Sequence, residues 1–182
     1  MPSRSELTPL PVGLPELPAR FVLIFPTSRA SGKDWPWERF AATAQGIAKK
    51  GGHTIVLAGM PQHRETATRI RESLGELPCL DLTGKLTTAE LVGVMARASL
   101  VVSNDSAGIH LAAALGRPGV GIANGRIPGR FYPYPTELAP LLRFVYPSRS
   151  EAFSEAPNVT VEAVLHASLE ALSAGEDRET NR

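Results

Sequence analysis

Cysteine is nearly absent from this chain of 182 residues, which contains only Cys79. A single cysteine cannot form a disulfide within the chain, so the fold must be stabilised by packing alone. No cysteine and histidine residues have the spacing of a zinc site. We therefore expect no bound metal and no cofactor.

Runs of one charge sign and long apolar runs are also missing. Lysine and arginine number 19 against 18 aspartate and glutamate residues, and no basic stripe stands out. This balance argues against nucleic acid as a partner. The longest apolar runs contain about five or six residues, whereas a membrane-spanning helix needs about 20. We expect no transmembrane segment and no export signal, and hence a cytoplasmic protein.

Proline is concentrated at the start of the chain. Five of the 16 prolines fall within the first 20 residues, where they disfavour both helices and central strands. The length suits one domain. We predict a linker-like segment over residues 1–19, a folded domain over 20–173 and a polar tail over 174–182.

Short apolar runs alternate with helical periodicity from residue 20 onwards. The predicted strands are 21–25, 54–58, 79–82, 100–103, 119–123 and 142–145. The predicted helices are 36–51, 62–74, 87–98, 106–115 and 160–172. This alternation predicts a doubly wound parallel sheet of the Rossmann-like α/β class. Ligands of such sheets bind beyond the carboxyl ends of the strands.

The loop after the first predicted strand carries hydroxyls and a cation. Thr27, Ser28 and Lys33 precede a helix, and such groups suit phosphate or sugar oxygens. An ordinary solvated connection between strand and helix is the alternative.

The segment after the fourth predicted strand turns directly into a helix. Asp105, Ser106 and Ala107 come first, followed by Gly108 and His110. Unpaired N–H groups at a helix start favour an anion, Gly108 permits close approach, and His110 could neutralise a phosphate. Alternatively, Asp105 or Ser106 is only the N-cap and His110 a packed, hydrogen-bonded histidine.

Two further loops contribute candidates at the same edge. Gln62 could contact a base or a ribose, or could simply help to start a helix. Arg126 and Arg130 could bind an anion, although a solvated surface role is the more common one for arginine.

Two separated motifs together resemble the heptosyltransferase family of inverting glycosyltransferases. These are residues 26–36, which end in Lys-Asp-Trp-Pro, and residues 104–118, which read Asn-Asp-Ser-Ala-Gly-Ile-His-Leu-Ala-Ala-Ala-Leu-Gly-Arg-Pro. Residues 81–85 and 131–135 agree with the same pattern. The resemblance covers roughly residues 20–172.

The resemblance implies the C-terminal half of a GT-B type enzyme, the half that holds the nucleotide-diphosphate sugar. An ADP-sugar such as ADP-heptose is expected rather than a UDP-sugar, with a lipopolysaccharide-type acceptor and a place in the cytoplasm or peripheral to the inner membrane. The donor contacts that it implies are Thr27, Ser28, Lys33, Asp105, Ser106 and Ala107, with His110 close by.

The chain departs from the family pattern at three points. Ala107 stands where the family has glycine, and Gln62 stands where it has an acidic residue for the ribose. The family's general base belongs to an N-terminal domain without a counterpart here, so an N-terminal half or a partner chain is expected to supply it. A non-catalytic nucleotide-binding or scaffolding module with the same fold is the alternative function.

Overall fold

The structure is a computed structural model that describes residues 15–28, 34–123, 134–135, 137–147 and 158–180, with side chains described as far as residue 175. Residues 1–14 of the predicted linker, Lys33, Arg126 and Arg130 lie outside the described residues.

Six strands of the described residues form one parallel sheet. They are β1 Phe21–Phe25, β2 Thr54–Leu57, β3 Cys79–Asp81, β4 Leu100–Asn104, β5 Gly119–Ile122 and β6 Leu142–Val145. Their order is β3-β2-β1-β4-β5-β6, and every neighbouring pair is parallel. The first and last residues of every strand agree with the sequence prediction to within one residue. The predicted doubly wound parallel sheet is confirmed.

Helices connect the strands and cover both faces of the sheet. They are α1 Trp37–Gly51, α2 Arg64–Leu74, α3 Thr88–Met95, α4 Ala107–Ala114 and α5 Val161–Thr180. The helix predicted from Gln62 begins instead with a 3-10 turn, Pro61–His63, because proline starts it without a backbone donor. Helix α5 runs beyond Leu172, its predicted end, to Thr180.

Local sequence fixes where these helices begin and end. Thr87 Oγ1 accepts from the N–H of Glu90 at 3.3 Å, and Glu90 Oε2 accepts from the N–H of Thr87 at 2.6 Å. This is the predicted capping box of α3, and the hydrogen bonds from Thr87 lower the pKa of Glu90. Helix α1 ends at Gly51 and is capped by Gly52, whose φ of 61° suits glycine.

The core consists of two layers, one on each face of the sheet. Alternate residues of β1 serve both: Val22 and Ile24 pack with α1, α2 and α5, whereas Phe21 and Leu23 pack with α3 and α4. A strand buried on both faces must be a continuous apolar run, because neither face is left for polar side chains.

The order of the strands reverses direction between β1 and β4. From β1 the chain builds outwards through β2 and β3, and from β4 it builds the other way through β5 and β6. Phe25 is opposite Ser103 in the register, so β1 and β4 end side by side. Diverging connections leave a crevice at such a switch point.

Candidate functional site

Asn104 joins the two loops that flank this crevice. It is the last residue of β4 and is 2% exposed. Its Nδ2 donates to the carbonyl of Pro26 at 2.9 Å, and its Oδ1 accepts from the N–H of Trp35 at 2.9 Å. One buried side-chain amide therefore holds both ends of the loop after β1 against the end of β4.

Asp34 accepts two further hydrogen bonds at the ends of the same loop. Its Oδ1 accepts from the N–H of Ser28 at 2.9 Å and from Nδ2 of Asn104 at 3.3 Å. Thr27 precedes Ser28, and its Oγ1 is buried without a hydrogen-bond partner in the described part of the chain. An unsatisfied buried hydroxyl is costly, so Thr27 Oγ1 is expected to pair with a group beyond the described residues.

The start of α4 faces the crevice from β4. Ser106 occupies the N-cap position, as one alternative predicted, but its side chain accepts no capping hydrogen bond. Its Oγ lies 2.9 Å from Oγ of Ser103 instead. Because the hydroxyl is engaged with Ser103, the first N–H groups of α4 are not satisfied by a side-chain cap at this position.

Gly108 lies where α4 contacts the sheet. A Cβ on Gly108 would lie 3.0 Å from Cδ2 of Phe25 and 3.0 Å from Oγ of Ser103. Glycine thus lets the first turn of α4 pack directly on β1 and β4. Ala107, one residue earlier, is exposed at the tip of the helix.

His110 contacts side chains on two sides. Its Nδ1 lies 2.6 Å from the hydroxyl of Tyr134, and its Nε2 lies 3.8 Å from Oδ1 of Asp105. The His110 side chain is 34% exposed. The contact with Tyr134 matches the hydrogen-bonded part of the alternative for His110, and the other side of the ring adjoins Asp105. Tyr134 lies within residues 131–135, which agreed with the family pattern, but the sequence did not show that it contacts His110, 24 residues earlier.

Aromatic residues form the wall at the β6 side. The rings of Tyr134 and Phe144 lie 6.5 Å apart, as do those of Phe144 and Tyr146. Burial, and then the negative charge of Asp105, raise the pKa of Tyr146. The Tyr146 phenol is therefore close enough for the Asp105 carboxylate to affect its ionisation.

Gln62 follows β2 on the other side of the crevice. Its side chain is exposed, and its Nε2 lies 3.5 Å from the sulfur of Met60. Close by, the N–H of Gly84 donates to the carbonyl of Gly59 at 2.9 Å, which joins the loops after β2 and β3. Thr83 Oγ1 is buried there without a hydrogen-bond partner among the described residues.

Metal-binding clusters and membrane-spanning helices are both lacking among the described residues. In the described ranges, no group of three or more histidine, cysteine, aspartate or glutamate side chains could hold a metal ion. No helix in that part of the chain is long and apolar enough to cross a membrane.

Comparison with known proteins decides the family. The model of glycosyltransferase family 9 (heptosyltransferase) matches residues 5–148. The chain belongs to this family. The family resemblance inferred from the two loop motifs is confirmed.

Curated relatives of the chain are heptosyltransferases. It is 29% identical over 116 residues to lipooligosaccharide heptosyltransferase 2 of Haemophilus influenzae, covering 62% of this chain and 33% of the relative. It is 32% identical over 100 residues to lipopolysaccharide heptosyltransferase 3 of Escherichia coli, covering 54% and 29%. The matches thus span about a third of the relatives' length.

Solved structures share the fold. E. coli ADP-heptose lps heptosyltransferase II aligns with a TM-score of 0.67 and 23% identity over 87% of this chain and 48% of that one. E. coli heptosyltransferase WaaC with ADP-2-deoxy-2-fluoro heptose aligns with a TM-score of 0.62 and 26% identity over 87% and 45%. The GT-B fold assignment is confirmed, and the chain corresponds to just under half of each enzyme.

Proposed function

We propose that this chain is a heptosyltransferase donor domain that binds a nucleotide-diphosphate sugar, with ADP-heptose as the first candidate, in the crevice between β1 and β4. The observation that supports the proposal most is the Asn104 clamp, by which we mean the hydrogen bonds of Asn104 with Pro26 and Trp35. The clamp holds Thr27, the neighbour of Pro26, at the sheet edge that the N-terminus of α4 also faces. The complexes of the related WaaC with ADP and with ADP-2-deoxy-2-fluoro heptose support this choice of ligand.

The diphosphate is proposed to lie between the loop after β1 and the start of α4. Thr27 and Ser28 would donate from the first loop, and the N–H groups near Ala107 and Gly108 from the second. The positive end of the α4 dipole favours the same negative charge. Lys33, Arg126 and Arg130, outside the described residues, are the proposed cations.

The sugar is proposed to lie beside Asp105. A carboxylate accepts hydrogen bonds from sugar hydroxyls, and His110 adjoins Asp105 at 3.8 Å. Gln62 follows β2 and is proposed to contact the nucleoside. The missing acidic residue at that position leaves less discrimination at the ribose than a carboxylate would provide.

Transfer itself needs two further components. An acceptor hydroxyl must attack the anomeric carbon on the face opposite the departing ADP, and a base must take the hydroxyl proton. We propose that an N-terminal half or a partner chain supplies this base, that the configuration inverts, and that the acceptor is of the lipopolysaccharide type at the inner membrane. The domain described here would stabilise the departing diphosphate.

Calorimetric titration with ADP-heptose, ADP, UDP and UDP-glucose tests the binding step. We expect ADP-heptose to bind most tightly. Asp105→Asn should weaken it by about 10-fold or more, and Thr27→Val by roughly 3- to 10-fold, as expected for a charged and a neutral hydrogen bond. Glu72→Gln near the end of α2 and Thr54→Val at the start of β2, both at the sheet edge opposite the crevice, are the matched controls.

The outcomes separate the two candidate functions. No heat with any nucleotide would contradict donor binding. Binding together with heptose transfer to a lipopolysaccharide core acceptor, once the N-terminal half is added, would support the transferase. Binding that never leads to transfer, even with that half present, would favour the non-catalytic module.

A further inference from the structure

Tyr134 and Asp105 lie against opposite nitrogens of the His110 ring. The Tyr134 hydroxyl is 2.6 Å from Nδ1, and Asp105 Oδ1 is 3.8 Å from Nε2. The two rings meet edge to face, with 5.9 Å between their centroids and 66° between their planes. Both a hydrogen bond and ring packing thus hold the imidazole in one orientation.

Both neighbours influence where a neutral imidazole carries its proton. A phenol can either donate to Nδ1 or accept from it, so Tyr134 alone allows both tautomers. A lone pair on Nε2 would be repelled by the Asp105 carboxylate, whereas an N–H there is attracted to it. The pair of neighbours therefore favours donation from Tyr134 to Nδ1 and a proton on Nε2.

We infer that Tyr134 is a positioning residue that holds the His110 ring through Nδ1 and turns its Nε2–H, the tautomer that Asp105 favours, towards the Asp105 side of the crevice. The inference rests on the proposed donor-binding function. Nε2 and Oδ1 are farther apart than a direct hydrogen bond allows. An oxygen of the donor could accept from Nε2–H while a sugar hydroxyl donates to Asp105.

The tautomer can be measured on the free chain by long-range 15N–1H correlation at pH 8.5, where an ordinary histidine is neutral. We expect His110 to be mainly Nε2–H in the natural sequence. Tyr134→Phe should shift the Nδ1 signal because the hydrogen bond from the phenol is lost, and Asp105→Asn should raise the fraction of the Nδ1–H form. His63 is the internal control, because its Nδ1 accepts from the backbone N–H of Met60 at 3.3 Å, which both substitutions leave in place. Spectra of His110→Gln and His63→Gln assign the signals.

Two results would overturn the inference: a proton mainly on Nδ1 of His110 in the natural sequence, or an unchanged Nδ1 chemical shift in Tyr134→Phe. The first needs no variant, so it holds even if Tyr134→Phe does not fold. His63 should give the same spectrum in both proteins.

The affinity for the donor provides a second test of the inference. We expect Tyr134→Phe to weaken ADP-heptose binding by roughly 3- to 10-fold, and His110→Gln/Tyr134→Phe together to weaken it no more than His110→Gln alone. Additive losses would show that Tyr134 does not act through His110. Failure of the natural sequence to bind any nucleotide would contradict the proposed function, whereas the tautomer measurement would still decide the role of Tyr134.

Discussion

The backbone N–H of Trp35 donates a 2.9 Å hydrogen bond to Oδ1 of Asn104, a residue 69 positions further along the chain. Trp35 also donates through its Nε1 to the carbonyl of Val159 at 2.8 Å. The start of α1, the end of β4 and the segment before α5 are thereby joined under the crevice. The described parts of the loop after β1, Pro26–Ser28 and Asp34–Trp35, are held at the end of β4.

Removing the Asn104 amide should destabilise the domain. Asn104→Ala leaves the carbonyl of Pro26 and the N–H of Trp35 unpaired in the interior, at about 1–3 kcal/mol for each unsatisfied group. We expect a loss of roughly 2–4 kcal/mol in the free energy of unfolding, measured by urea denaturation. Asn158→Ala, at an exposed position, is the control. A loss for Asn104→Ala as small as that of the control would show that the clamp does not stabilise the fold.

A methyl group at Gly108 should disturb the contact between α4 and the sheet. Alanine normally favours a helix interior by up to about 1 kcal/mol over glycine. At Gly108, however, the new Cβ would lie 3.0 Å from Phe25, and overpacking costs about 1–3 kcal/mol. We expect Gly108→Ala to be destabilising by about 1 kcal/mol and to weaken ADP binding.

Gly175→Ala is the matched variant for this comparison. Its Cβ would meet Cγ of Pro118 at an ordinary 3.7 Å within α5. We expect a gain of about 0.5–1 kcal/mol there. Equal gains at the two positions in thermal or urea unfolding would refute the close packing of α4.

The ionisation of Tyr146 should report its distance from Asp105. Burial raises the pKa of Tyr146, and the Asp105 carboxylate raises it further. Asp105→Asn removes the second cause only, so the pKa should fall towards its ordinary value without reaching it. Tyrosinate absorbance during an alkaline titration measures this, with Tyr146→Phe to identify the transition. An unchanged pKa in Asp105→Asn would place the two groups apart.

Cys79 should react slowly with alkylating reagents in the folded chain. Burial, and then the charge of Asp81, raise the pKa of its thiol from 9.0 to about 11, while Arg71 acts in the opposite direction. The thiolate is the reactive form, so at pH 8 the rate should be about 100-fold lower than for the unfolded chain. Asp81→Asn should raise the rate modestly. Equal rates in the folded chain and in urea would contradict this.

The sequence predicted most of the sheet but only part of the site. Runs such as Phe21–Phe25 are recognisable because strands covered on both faces must be apolar throughout. The end of α5 could not be found in this way, since residues 173–180 lack an apolar stripe. Glu176, Arg178 and Glu179 nevertheless favour helix by propensity.

Contacts between distant parts of the chain account for what the sequence did not show. Thr27, Asp105 and Gly108 stood out because polar residues and glycine follow apolar strands. The roles of Asn104 and Tyr134 depend on partners far along the chain, Pro26 and His110. Those pairs form only once the register of β1 against β4 and the path of the loop before β6 are set, and neither has a local pattern.

Donor binding at the crevice between β1 and β4 is the central claim, and amide chemical-shift mapping tests it most directly. Titration of the 15N-labelled chain with ADP-heptose should shift the amides of Thr27, Ser28, Ala107 and Gly108 most strongly. Amides at the opposite ends of the strands, such as those of His53 and Arg117, should stay in place. Largest shifts at His53 and Arg117, with Thr27 and Gly108 unmoved, would contradict the account.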